Sequence, residues 1–236
     1  MLRLTPELLL AAYALGRFPM AGDRDDPHVH WIEPLRRGII PLDAFHVPRS
    51  LRKVLRQGRF ELRVDSDFAG VIRACAEATG ERPRTWLNDG LIGLYTTLHR
   101  MRHAHSVEAW RDGRLVGGLY GVRLGSAFFG ESMFSRERDA SKVALVELVA
   151  RLRAGGFRLL DTQFVTEHLT RFGAVEISQA EYRRRLRAAL RQEAAFPLRS
   201  QPFCMGGVGE GENGAGDVGA GSGSGSGSAQ PTTQTS

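Results

Sequence analysis

Cysteine is nearly absent: the 236 residues hold two, Cys75 and Cys204, at unrelated positions. No disulfide framework or zinc spacing can be drawn from them, which excludes a disulfide-stapled scaffold and points to a reducing, cytoplasmic setting. Long apolar runs are also missing. The N-terminal run Leu8 to Leu15 is too short to span a bilayer and has no basic leader. It follows Thr5-Pro6-Glu7, an N-cap with proline in the first turn, so it reads as a helix and not as a signal peptide. No internal repeat is visible. Acidic residues are too few to balance the basic ones, 26 against 32, and the formal charge of +6 is carried mainly by arginine. That excess points to a polyanionic partner, nucleic acid first, with a solvated Arg-rich surface as the bland alternative.

What is present is a hydrophobic fraction of 42%, enough for one ordinary core or two small lobes. After the first helix, Phe18-Pro19-Met20 leads into a polar loop, and Trp31-Ile-Glu-Pro34 and Gly38-Ile-Ile-Pro41 are short extended pieces; residues 1–45 read as a small N-terminal α/β lobe. His46-Val-Pro-Arg-Ser50 opens a basic helix carrying Arg49, Arg52, Lys53 and Arg56. Phe60 to Val64 reads as a strand, and Phe68 to Ala78 and Trp86 to Arg102 as helices, with Tyr95 on the apolar side of the second. Strands at Ser106–Trp110 and Leu115–Arg123 flank the turn signal Asp112-Gly113, and Ala127–Phe134 follows. A strongly apolar helix at Val143–Arg153 stops at Gly155-Gly156. The strand Phe157–Gln163, a short helix, a short strand Ala174–Ile177 and a basic helix Tyr182–Gln192 complete the core. Residues 46–203 read as one α+β catalytic domain. Residues 204–236, rich in Gly and Ser, read as a flexible tail with too little apolar surface to order itself.

Hairpin, strand, helix and strand in that order suit an α+β acyltransferase sheet. A coenzyme A enzyme of that layout needs a Gly-rich loop before the helix to hold pyrophosphate. Ser135 to Lys142 has no glycine and carries acids instead, which disfavours coenzyme A. No Gly-x-Ser-x-Gly elbow exists, so Ser132 and Ser135 make poor nucleophiles. His28, His30, His99, His103 and His105 form no complete ligand set, so no metal is expected. Two acids draw notice. Glu131 lies among Phe128, Phe129, Met133 and Phe134, where a lone buried carboxylate is costly. Asp161 closes an apolar strand with Gln163 two residues on, and strand alternation places both on one face. An acid and an amide together, with a second acid nearby, suit the steering of an amine toward a carbonyl. Against this stand ordinary roles: a solvent-facing strand end for Glu131, a turn cap for Asp161.

Trp31-Ile-Glu-Pro34, His46-Val-Pro-Arg-Ser50, Ala104-His-Ser-Val-Glu108, Leu115-Val-Gly-Gly-Leu-Tyr-Gly121, Phe128-Phe-Gly-Glu-Ser-Met-Phe-Ser-Arg136, Ala140-Ser-Lys142, Leu160-Asp-Thr-Gln163 and His168-Leu stand in the order and spacing of the leucyl/phenylalanyl-tRNA–protein transferases. The resemblance covers about residues 5 to 190. Arg17 departs from the usual aliphatic residue before Phe-Pro, and Asp161-Thr-Gln163 from the commoner Asp-Cys-Gln. The resemblance implies a GNAT-like catalytic domain and an enzyme that takes Leu or Phe, less readily Met, from its tRNA. It would join that residue to the α-amine of proteins beginning with Arg or Lys, marking them as N-degrons for proteolysis. An aminoacyl ester is already activated, so no cofactor is implied. By similarity Asp161 orients and polarises Gln163, which draws on the attacking amine, while Glu131 meets the amine and its basic side chain. Phe128, Met133, Leu145, Leu148 and Leu160 would form the aminoacyl pocket. Trp31 and Trp86 would stack on the terminal adenosine, and Arg49, Arg52, Lys53 and Arg56 would hold acceptor-stem phosphates. A monomer with no membrane contact is expected. A transferase acting on cell-wall peptide precursors and a catalytically idle tRNA-binding module are the alternatives.

Overall fold

The computed structural model describes residues 4–78 and 84–198; Cys204 and the Gly/Ser-rich segment lie outside the described residues. Helix α1 (Pro6–Ala14) starts at Thr5, whose hydroxyl accepts from the Leu8 amide, with proline where a missing N–H costs nothing. A two-stranded ribbon, β1 (Phe18–Ala21) with β2 (Val29–Ile32), follows. Next come β3 (Arg36–Ile40), α2 (Arg49–Arg56), β4 (Glu61–Val64), α3 (Phe68–Ala76) and α4 (Asp89–Arg100). The meander β5 (Ala104–Arg111), β6 (Arg114–Leu124) and β7 (Ala127–Ser135) turns first at Asp112-Gly113, both with positive φ as a tight hairpin requires. Then α5 (Ala140–Ala154), β8 (Leu159–Gln163), α6 (Glu167–Thr170), β9 (Val175–Ser178) and α7 (Gln179–Leu190) complete the described chain.

The fold is α+β. Its main sheet has seven strands in the order β4-β5-β6-β7-β8-β3-β9, antiparallel except for β7 beside β8. Strand β3, which the sequence reading placed in the N-terminal lobe, sits between β8 and β9 in this sheet. Its run Gly38-Ile39-Ile40 is buried, which explains why it is a central strand and not a lobe connector. Helices cover both faces. On one face α1, α3, α4 and α7 pack their apolar sides around Tyr13, Tyr95 and Phe129. On the other, α5 lies over the sheet with Leu51 of α2 and Leu169 of α6. Most of α5 is buried, as its predominantly apolar sequence demands, and its Glu147 and Arg151 pair within the helix at 2.8 Å.

Two irregularities open the middle of the sheet. Tyr120 pairs with Ser132 and Gly121 with Gly130, so Glu131 is an extra residue, a β-bulge in β7. Gly121 has to be glycine there, because a Cβ would collide with the Phe129 carbonyl and the Phe128 ring. The parallel pairing of β7 and β8 ends at Phe129 opposite Asp161. Beyond that rung the two strands no longer pair, and a cavity lies between them.

Candidate active site

The cavity has a volume of about 350 Å³, within the range of small-molecule sites. Leu119 of β6, Met133 of β7, Leu145 and Leu148 of α5, Leu160 of β8 and Leu169 of α6 make its apolar wall. Glu131, Ser132, Gln163, Thr162, Thr166 and His168 supply the polar lining, and Phe18, Met20, Trp86 and Phe164 contribute aromatic and thioether surface.

Glu131 faces the cavity and is held from behind. Tyr13 of α1 donates to its Oε1 at 2.7 Å and Tyr95 of α4 to its Oε2 at 2.9 Å. The two hydroxyls are themselves 2.8 Å apart. These three contacts form a closed triangle. An ionised carboxylate leaves two protons for three contacts, whereas a protonated one supplies the third. Burial pushes the Glu131 carboxyl up to about 7; the tyrosine hydrogen bonds pull it down, Asp161 pushes it further up, and Arg37 pulls it down. Both tyrosines are raised well above their ordinary value, by burial first and by the Glu131 charge second.

Asp161 has a different setting. It is fully buried. Arg37 of β3 grips it through Nε at 2.9 and 3.2 Å and through Nη2 at 2.7 Å. Tyr182 of α7 donates to it at 2.5 Å, and the Gln163 backbone amide at 2.8 Å. The Arg37 guanidinium lies over the rings of Phe18 and Tyr182, 4.6 Å from each centroid, and donates to the Gly16 carbonyl at 3.0 Å. A bidentate, fully hydrogen-bonded pair of this kind is what makes two buried charges tolerable.

Gln163 is set by this arrangement. Its φ is +56°, and the Phe164 amide bonds back to the Thr162 carbonyl at 2.6 Å, a γ-turn of the rare positive-φ form. The turn sends the Gln163 side chain toward Glu131, with Nε2 a long 3.4 Å from Oε1. Strand alternation, which placed Asp161 and Gln163 on one face, therefore fails at this turn. Asp161 accepts from the backbone amide of Gln163, at the start of this turn.

Met133, Leu145, Leu148 and Leu160, expected by similarity in an aminoacyl pocket, line the cavity. Phe128 does not. It sits opposite Leu160 where β7 and β8 are still paired, and packs against Phe157 and Phe196. Trp86 lines the cavity, while Trp31 lies on β2 opposite Pro19, 38% exposed and outside the lining. Arg49, Lys53 and Arg56 are exposed on α2, and Arg52 folds back to donate to the Val47 carbonyl at 3.0 Å. None of the four lines the cavity. Tyr13, Arg37, Tyr95 and Tyr182 went unrecognised in the sequence. Arginine beside the apolar Gly38-Ile39-Ile40 run was the one available sign. Among the described residues, no three His, Cys, Asp or Glu side chains converge as a metal would need, and no helix is long and apolar enough to cross a membrane.

The chain matches the family described as leucyl/phenylalanyl-tRNA protein transferase over residues 39–187 and that family's N-terminal domain over residues 3–35. A leucyl/phenylalanyl-tRNA–protein transferase from Paramagnetospirillum magneticum is 63% identical over 193 residues, which is 82% of this chain and 92% of that protein. Among solved structures, a conserved protein of unknown function from Staphylococcus epidermidis is 13% identical with a TM-score of 0.38, over 75% of this chain and 66% of that one. L-PGS from Bacillus licheniformis is likewise 13% identical, with a TM-score of 0.39 over 70% of this chain and 55% of that one. The two matched domains and the close relative agree along nearly the whole described chain: it belongs to the leucyl/phenylalanyl-tRNA–protein transferase family and is an aminoacyltransferase.

Proposed function

We propose that the protein transfers Leu or Phe, less readily Met, from aminoacyl-tRNA to the α-amine of proteins that begin with Arg or Lys, creating an N-degron in the cytoplasm. The observation that carries this reading is the pairing of an apolar, leucine-sized cavity with one carboxylate, Glu131, poised near neutrality on its wall. The separation of β7 and β8 around the cavity supports a GNAT-like catalytic domain that includes β3 and follows a small N-terminal lobe ending before it.

In the proposed reaction the aminoacyl side chain enters between Leu119, Met133, Leu145, Leu148 and Leu160, with the ester carbonyl near Gln163. The acceptor amine attacks the carbonyl carbon as a neutral lone pair, and the new C–N bond carries a proton that must leave. An α-amine titrates near 8, so a partner titrating near 7 is well matched to take it. Glu131 is that partner, and its tyrosine triangle accommodates the added proton. Asp161 is not, because every strong acceptor direction is filled by Arg37, Tyr182 and the Gln163 amide. Collapse of the tetrahedral adduct breaks the ester bond, and the departing 3′-oxygen takes back one proton. Orientation supplies much of the rate, since the ester is already activated. A pocket of this kind separates Leu or Phe from smaller residues by a few kcal/mol. Trp86 provides stacking surface for the terminal adenosine, and exposed Arg49, Lys53 and Arg56 provide phosphate contacts, so donor binding should weaken steeply with salt.

The test is transfer of labelled Phe from Phe-tRNA to peptides beginning with Arg, Lys, Gly or Ala. Transfer confined to the basic peptides supports the reading. Equal use of all four removes the N-degron assignment, and undiminished transfer by the double variant Asp161→Ala, Gln163→Ala removes the mechanism.

A further inference from the structure

Among the described residues Glu131 is the one carboxylate that lines the cavity. Asp161, the nearest other acid, is closed off by Arg37 and Tyr182. If Glu131 meets the acceptor's α-amine, the acceptor's first side chain brings a second positive charge with no acid of its own on the cavity wall. The wall offers aromatic surface instead. Phe164 follows Gln163 directly, and after that positive-φ turn its ring stands 48% exposed while still lining the cavity. A ring that exposed gives the core little. It rests at right angles to Phe18, centroids 5.9 Å apart. Phe18 already carries the Arg37 guanidinium at 4.6 Å, so its capacity for a cation is taken. Among the described residues no cation lies over Phe164.

We propose that Phe164 is the surface on which the acceptor's N-terminal Arg or Lys side chain lies, so that a basic first residue is selected by a cation–π contact and not by a second carboxylate. The inference rests on the transferase reading above. A ring of this exposure holds a cation modestly and favours the planar guanidinium.

The experiment is steady-state transfer from Phe-tRNA to peptides beginning with Arg, Lys or citrulline, the last being a neutral isostere of Arg. It compares the wild-type chain with Phe164→Leu and Phe164→Trp. For Phe164→Leu the KM for the Arg peptide should rise about three- to tenfold, with the KM values for the citrulline peptide and for Phe-tRNA unchanged. Phe164→Trp should keep or lower the KM for the Arg peptide. A rise in the Phe-tRNA KM with the Arg peptide unaffected would assign the ring to the donor and overturn the proposal. Equal losses for Arg and citrulline would reduce the contact to simple apolar burial and overturn it too. Failure of the wild-type chain to transfer to any of the three peptides would instead defeat the transferase reading itself.

Discussion

Replacing Glu131 by Gln should make the protein more stable and less active at once. The folded chain keeps the Glu131 proton up to about pH 7, whereas an unfolded glutamate releases it near its ordinary 4.5. Between those values the native state binds more protons than the unfolded state, so stability tied to this group is fully present below 4.5 and drains away as pH rises through 7. At pH 8 the accumulated loss is about 3 kcal/mol. A glutamine cannot ionise and escapes it, while its amide oxygen still accepts from one tyrosine. The variant should therefore unfold roughly 6–12 °C above wild type at pH 8 and close to wild type at pH 4.5. Thermal or urea unfolding at several pH values reads this directly. Transfer to an Arg peptide should meanwhile fall roughly a hundredfold or more, the scale of a lost proton acceptor. Equal stability at pH 8, or a stability gain that is the same at pH 4.5 and pH 8, would refute the claim that Glu131 is a carboxylate held against its burial.

Removing the hydroxyl in Tyr13→Phe takes away a hydrogen bond that lowers the Glu131 carboxyl, so the acid limb of the kcat/KM profile should move to higher pH; a shift downward would contradict the triangle. Arg37→Met leaves Asp161 buried without its counter-charge and should cost about 3–5 kcal/mol. A melting point less than about 3 °C below wild type would show that Arg37 does not hold that charge. Gln163→Gly relieves a positive φ, worth roughly 1 kcal/mol in stability, yet it should abolish most transfer because the cavity loses its amide.

The elements were largely readable from local signals: Thr5-Pro6 at a helix start, Asp112-Gly113 at a hairpin, Gly155-Gly156 at a helix end. The acids of the site were readable as well, since a charge in an apolar run demands a reason. Their partners were not. Tyr13, Arg37 and Tyr182 reach the site from segments 118, 124 and 21 residues away from the acids they bind, and only Arg37, beside an apolar run, carries a local mark. Alternation along a strand also misled at Gln163. The bulge at Glu131 and the γ-turn at Gln163 each break the period of two, and these are the places where side chains had to be aimed into the cavity. Phe128 was misplaced because its ring packs against Phe157 and Phe196 and not into the cavity, a long-range contact that sequence spacing does not reveal.

The position of β3 has a consequence for how the molecule comes to be active. Arg37 meets Asp161 across a sequence separation of 124 residues. Closing so long a loop adds little to the equilibrium cost, because that cost grows only with the logarithm of length, but it delays the contact during folding. Asp161 lies on β8, so its contact with Arg37 and the Gln163 turn beside it need β8 to be made and paired with β3. The geometry of the candidate site thus joins a strand near the start of the chain to one made much later.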